Sequence, residues 1–423
     1  MIRRWMLVVL ACGLWLSMWF WVQRIAIPHQ QAESAALGVP RGNLSDLYPR
    51  WLGARELLLH GRDPYSFEVT REIQAGYYGR PIDAARPNDP RDQQAFAYPA
   101  YVVFLLAPSV GLPFAFVQRF FFWLLIAVTA ASVLVWMQAL DWRTSLTEKL
   151  VWVALVLGSY PAIQGFKLQQ LSLLVAALIA AAMLAVARRH FAWAGMFLAL
   201  ASIKPQLAVL PAAWLLIWAT GNWRERKRLF WSFSAAMMLL IAGAEVILPG
   251  WIGKFLAASR AYYQYTGGGR SVLDVTLTPF VGRVLAAVIV LAMAIVVWRS
   301  RRDAEGSAAF QWSLAIVMAT TLVVVPMFAP YNQLLLIPAI MVLVRQRSSV
   351  WMGGKLARFL LVAAAFSVLW PWLATTCLSI ASLILPTSTV QKAWTLPLYT
   401  SLAIPVMIWA ASIVGARQLA DRR

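Results

Sequence analysis

Charge is scarce in this chain, and acid is scarcer than base. Only 13% of the 423 residues are charged, with 17 Asp or Glu against 37 Lys or Arg, while 61% are hydrophobic. Soluble domains carry about 25% charged and about 45–50% apolar residues. So little charge cannot clothe so much apolar surface, which excludes a soluble enzyme and a disordered chain alike. Cysteine is nearly missing: Cys12 and Cys377 are the only two, and both lie inside apolar runs. A disulfide scaffold and a thiolate zinc site are thereby excluded. Histidine occurs three times, at His29, His60 and His190, never at ligand spacing, which leaves no histidine metal site. Asp-x-Asp is absent, and no Gly-rich phosphate loop follows a strand pattern. The usual sequence marks of metal-held nucleotide chemistry are therefore missing.

What the chain has instead is a succession of apolar runs of about 20 residues. Each is long enough to cross about 30 Å of hydrocarbon at 1.5 Å per residue. The pattern predicts an all-α polytopic membrane protein, a single integral-membrane domain over residues 1–423. Spans are expected near 5–27, 114–139, 150–164, 168–187, 191–204, 206–220, 229–248, 278–298, 307–325, 331–345, 357–380 and 395–415, about 12 crossings in all. The formal charge of +20 does not mark a nucleic-acid surface. Basic residues gather instead in short loops: Arg188/Arg189, Arg224 to Arg228, Arg299/Arg301/Arg302, Arg345/Arg347 and Arg417 to Arg423. Cytoplasmic loops hold such clusters, and with Arg3 and Arg4 they put both termini on the cytoplasmic side. The segment 98–112, set among Pro99, Pro108 and Pro113, breaks the alternation. It reads as a half-helix that enters and returns, tolerated only where protein surrounds it.

Two longer loops, 28–97 and 249–277, are exterior in this topology, and the first holds nine of the 17 acidic residues. Within it, Ser45 to Gly61 reads as an amphipathic helix, with Leu47, Trp51, Ala54 and Leu58 on one face. Pro49 suits its first turn, and Gly61 followed by Pro64 stops it. Such a helix is expected to lie on the outer bilayer surface with Trp51 among the headgroups. Asp46 stands at its N-terminal mouth, where the dipole favours an ionised carboxylate. Arg50 and Arg55 follow on adjacent turns. A carboxylate beside cations at a membrane surface suits the reaction of a lipid phosphate with a hydroxyl acceptor. The same residues also suit an N-capping Asp beside surface ion pairs. In the second loop Gly267-Gly268-Gly269 precede Arg270, either a hinge over a site or a plain linker.

Further short motifs follow in order. After Asp46 and Tyr48 come Ala54-Arg55, Leu57-Leu58, Gly61 and Pro64-Tyr65, then Phe96-Ala97-Tyr98-Pro99. Gly165 to Gln170 with Ser172, Ala194-Gly195, Ile203-Lys204-Pro205-Gln206 and Pro330-Tyr331-Asn332-Gln333-Leu334 complete the set. This order resembles the bacterial polytopic glycosyltransferases of family 87, among them mycobacterial polyprenyl-phosphate-mannose-dependent mannosyltransferases. Ser172 departs from the pattern, which commonly has Asn there.

The resemblance implies a GT-C fold on the bacterial plasma membrane. It implies an inverting, metal-independent transfer of a hexose, mannose foremost, or a pentose from a polyprenyl-phosphate-linked donor to a lipid or glycan acceptor. No cofactor is implied, the lipid-linked sugar being a co-substrate, and no nucleic-acid partner. Asp46 inherits the role of general base. Lys204, Lys167, Arg50, Arg55 and Arg270 become candidates for the donor phosphate. Tyr48, Tyr98, Gln169, Gln170, Gln206, Tyr331 and Asn332 become weaker candidates for substrate contact. The competing class is a transporter or a lipid or polyprenyl flippase. Transporters show internal repeats and ionisable residues at mid-span, whereas these spans are nearly free of central charge.

Overall fold

The computed structural model describes residues 2–40, 45–83, 85–266, 269–326 and 328–421. Among them every regular element is a helix. In hydrocarbon each backbone N–H and C=O must find its partner within its own segment, and helices do this. Six helices are long and apolar enough to cross a membrane: Trp5–Ala36, Phe114–Ala139, Trp223–Ile247, Pro279–Ser300, Lys355–Ala381 and Thr387–Ala420. The pair Leu146–Leu157 and Tyr160–Lys167, bent by 58°, adds a seventh if it is one span. The chain is thus an all-helical polytopic membrane protein.

Twelve crossings do not follow from length and composition alone. Five of the expected spans are helices of 10–17 residues: Ser172–Ala187, Phe191–Ala201, Pro205–Thr220, Ala308–Val324 and Pro330–Arg345. Prolines and the break at Ser202-Ile203-Lys204 shorten them. The shorter helices also sit deeper. Ala308–Val324 is buried along nearly its whole length, polar Gln311, Ser313, Thr320 and Thr321 included. The long helices carry the exposed apolar surface, with Leu239, Val246, Phe280 and Leu291 bare, as lipid-facing helices do. Packing is close between Phe191–Ala201 and Trp223–Ile247. A Cβ on Gly195 would lie 2.3 Å from the Leu229 carbonyl oxygen, so the Ala194-Gly195 motif serves helix contact.

The first long loop folds into two helices, Leu47–His60 and Phe67–Tyr78. Gly61 closes the first with φ +65°, its N–H and that of Arg62 returning to the Leu57 and Glu56 carbonyls, a left-handed cap that glycine takes at no steric cost. Leu47, Trp51 and Ala54 are buried on one face as the periodicity predicts. What covers that face differs from expectation. Trp51 is 4% exposed, its indole donates to the Ser109 carbonyl at 3.0 Å, and Phe114 packs at 5.2 Å. It does not float among headgroups, because the segment 98–112 folds beneath it. That segment is helical only over Val102–Leu106 with one 3-10 turn after it. Five residues rise about 7–8 Å, far short of a crossing.

Residues 249–277 are not an open loop either. Trp251–Tyr265 is helical and Ser271 caps a short helix Val272–Thr276. Gly267 and Gly268 of the expected hinge lie outside the described residues, as do Arg422 and Arg423 at the C-terminus.

Candidate active site

Four separate breaks in helical structure meet at one cavity of about 220 Å³. The first is the start of Leu47–His60, which brings Asp46 and, one turn on, Arg50. Asp46 is the N-cap residue, yet its side chain makes no capping bond, so capping does not account for it. Arg50 is 9% exposed and donates from Nη1 to the backbone oxygen of Asp46. Its guanidinium stands 4.7 Å from the centre of the Tyr98 ring, and its buried Nε has no hydrogen-bond partner. Burial works against the Arg50 charge, but Tyr98, Asp46, Tyr262 and Tyr331 outweigh it and hold its pKa above the ordinary value. Burial likewise pushes the Tyr98 phenol up to about 12, so Tyr98 stays neutral.

The second break is the reversal after Tyr160–Lys167. Gly165 allows it, since a Cβ there would meet Leu173 Cδ1 at 2.4 Å. Gln169 takes φ +45°, a left-handed conformation costing a non-glycine residue of order 1–2 kcal/mol. The reversal turns the side chain of Gln170 into the cavity. Such strain persists only where its surroundings over-determine it.

Lys204 supplies the third break. It precedes Pro205 with non-helical φ −123° and ψ 79°, as the residue before proline must. The fourth is the 3-10 helix Pro330–Leu336, carrying Tyr331 and Asn332. Side chains tie the four together. Gln170 Nε2 donates to Asp46 Oδ2. Lys204 Nζ donates to Gln170 Oε1 at 2.9 Å and to Ser172 Oγ. Ser172 Oγ donates to Asn332 Oδ1 at 2.8 Å, and the ammonium lies 4.9 Å from the Tyr331 ring centre. Ser172 thus links Lys204 to Asn332.

Asp46, Arg50, Tyr98, Gln170, Lys204, Gln206, Tyr331 and Asn332 therefore share the cavity wall. The other sequence candidates do not reach it. The Arg55 guanidinium lies 5.5 Å from the ring of Trp51. Tyr48 packs edge-on to Phe114, 4.9 Å between ring centres. Lys167 ends its helix half-buried, outside the cavity wall. Gln169 bonds back to the Phe166 carbonyl. Arg270 is exposed and offers its backbone oxygen to Phe328. Pro326 and Ala329 of the wall escaped the sequence reading, as did four residues of one helix: Phe255, Ser259, Tyr262 and Tyr263. Their spacing of three to four is a helical face that was open to view.

A second cavity, apolar, has a volume of about 430 Å³. Its wall begins at Gln333, next to Asn332, follows Leu334 to Val344 and is closed by Trp152, Tyr160, Leu361 and Trp372 among others.

The sequence profile of glycosyltransferase family 87 matches residues 96–330. No curated protein and no solved structure matches the chain. The matched segment contains Tyr98, Gln170, Lys204 and Gln206. It begins after Asp46 and Arg50 and stops just before Tyr331 and Asn332. As the match covers more than half of the chain, the protein belongs to glycosyltransferase family 87.

Proposed function

We propose that this membrane glycosyltransferase moves a sugar, mannose foremost, from a polyprenyl-phosphate-linked donor to the hydroxyl of a lipid or glycan acceptor. The reading places the cavity on the outer face of a bacterial plasma membrane, both termini in the cytoplasm, in a GT-C fold whose shorter helices also cross within the shelter of the long ones. The observation that carries it is the setting of Asp46. Its carboxylate shares a cavity with two cations, and its side chain is held by the neutral amide of Gln170.

The chemistry follows in one displacement. Asp46 takes the acceptor's hydroxyl proton, the freed oxygen pair attacks the anomeric carbon, and the carbon–oxygen bond to phosphate breaks with its electrons passing to the phosphate. Attack opposite the leaving group inverts the anomeric centre. General base catalysis contributes about 10²–10⁴-fold. Arg50, with its unpartnered Nε, and Lys204 are the cations that stabilise the departing phosphate. Among the described residues no group of three or more His, Cys, Asp or Glu side chains is placed to hold a metal ion. The reading assigns charge stabilisation to these two cations. The apolar cavity beginning at Gln333 is where the polyprenyl tail would lie.

Purified protein given radiolabelled polyprenyl-phosphate mannose and membrane lipid acceptors should transfer label without added metal. Asp46→Asn should lose at least about 10²-fold of that rate while unfolding at the wild-type temperature. Full activity in Asp46→Asn would remove the base, and dependence on a nucleotide-sugar would remove the donor.

A further inference from the structure

The geometry points to Gln170 as a spacer that keeps the Asp46 carboxylate and the Lys204 ammonium from pairing with each other. The inference rests on the sugar-transfer reading, and it concerns how one site holds a base and a phosphate-binding cation together.

Gln170 is 3% exposed. Its amide lies between the two charged groups, Nε2 donating to Asp46 Oδ2 and Oε1 accepting from Lys204 Nζ at 2.9 Å. Only this orientation satisfies both neighbours, since a carboxylate only accepts and an ammonium only donates. Among the described residues no ion pair joins Asp46 to Lys204 or to Arg50. Arg50 reaches the backbone oxygen of Asp46 instead.

Opposite unit charges in close approach attract far more strongly in a buried cavity than in water. Left alone in a shared cavity, carboxylate and ammonium would close on each other. Each would then occupy what the other needs: the carboxylate's lone pairs and the ammonium's protons. The intervening amide replaces that contact with two charge-assisted hydrogen bonds and leaves capacity on either side. Asp46 retains Oδ1 for the acceptor hydroxyl. Lys204 spends two of its three protons on Gln170 and Ser172 and keeps one for a phosphate oxygen. Ser172, itself donating to Asn332 at 2.8 Å, holds the ammonium from the far side. Gln170 gains and loses no proton in the transfer, so it is a positioning residue.

Two variants test this. Gln170→Met keeps the bulk and removes both bonds; Gln170→Glu keeps the acceptor for Lys204 and removes the donor to Asp46. With radiolabelled polyprenyl-phosphate mannose, each should lower kcat on the order of 10²-fold, the usual result of a misplaced reacting group. In an Asp46→Asn background neither should cost more than about twofold further, because the pair acts as a unit. A merely structural residue would cost the same in both backgrounds. The second measurement needs no turnover. A cryo-electron microscopy structure of Gln170→Met in lipid nanodiscs should show Asp46 and Lys204 in direct contact. Wild-type kcat in either variant, or a carboxylate and ammonium still apart in that structure, overturns the spacer. Absence of label transfer by the wild type would overturn the sugar-transfer reading instead, leaving the structural arm to decide the spacer.

Discussion

Replacing Lys204 by Met separates what this residue costs the fold from what it contributes to turnover. At 5% exposure the ammonium has given up its hydration, an effective penalty of several kcal/mol for an ion without a charged partner. It recovers about 1.5–3 kcal/mol from each hydrogen bond to Gln170 and Ser172, and about 0.5–2 kcal/mol from the Tyr331 ring 4.9 Å away. The opposing contributions are of one size. Met has nearly the same reach and no charge to desolvate, and Ser172 keeps Asn332 as a partner. Stability should therefore change by no more than about 1–2 kcal/mol in either direction. Turnover should respond very differently. Losing one preorganised group that stabilises transition-state charge costs about 2.7–4 kcal/mol, or 10²–10³-fold in kcat. The assay pairs thermal unfolding with transfer from radiolabelled polyprenyl-phosphate mannose in one detergent preparation. A collapse of the unfolding temperature would show that Lys204 holds the fold. A kcat within threefold of wild type would show that it does not meet the phosphate. Either result refutes the reasoning.

Two further predictions concern groups outside the cavity wall. Burial raises the Asp92 carboxyl above its ordinary 3.8, with the Gln94 N–H and Arg50 working against the shift and Asp46 adding to it. A carboxyl whose folded pKa lies above its unfolded one binds its proton more tightly in the folded state. Its stabilising contribution is thus fullest at low pH and is lost as pH rises through the folded pKa. Asp92→Asn should raise the unfolding temperature at pH 7, with the gain shrinking toward pH 4; equal gains at both pH values would contradict this. Arg226 is 3% exposed, stacks 3.6 Å from the Trp218 ring centre and donates to the carbonyls of Trp218, Arg301 and Asp303 at 3.0–3.1 Å. Arg226→Ala should cost about 3–5 kcal/mol of stability and leave kcat per folded molecule unchanged, as thermal unfolding and active-site-normalised rates would show.

Which candidates reach the cavity follows from helical phase, and phase was readable. At about 100° per residue, Arg50 lies on the same side of its helix as Asp46, four positions earlier, whereas Tyr48 and Arg55 fall on the opposite side. Motif order groups all four; helix geometry divides them, and the structure divides them the same way. The face formed by Phe255, Ser259 and Tyr262 has the same helical period. The apolar stripe through Leu47, Trp51 and Ala54 was legible too, but not what would cover it. Lipid and protein accept such a face alike, and only the Ser109 carbonyl under the Trp51 indole distinguishes them. Gln170 is a different matter. Its partners stand 124 residues before it and 34 after it, and Ser172 meets Asn332 across 160. No local period carries such distances. A glutamine beside a helix end reads as one more polar residue until a carboxylate and an ammonium arrive on either side of its amide. The part of the site that sequence conveys is the supply of charges; the part it withholds is what keeps them apart.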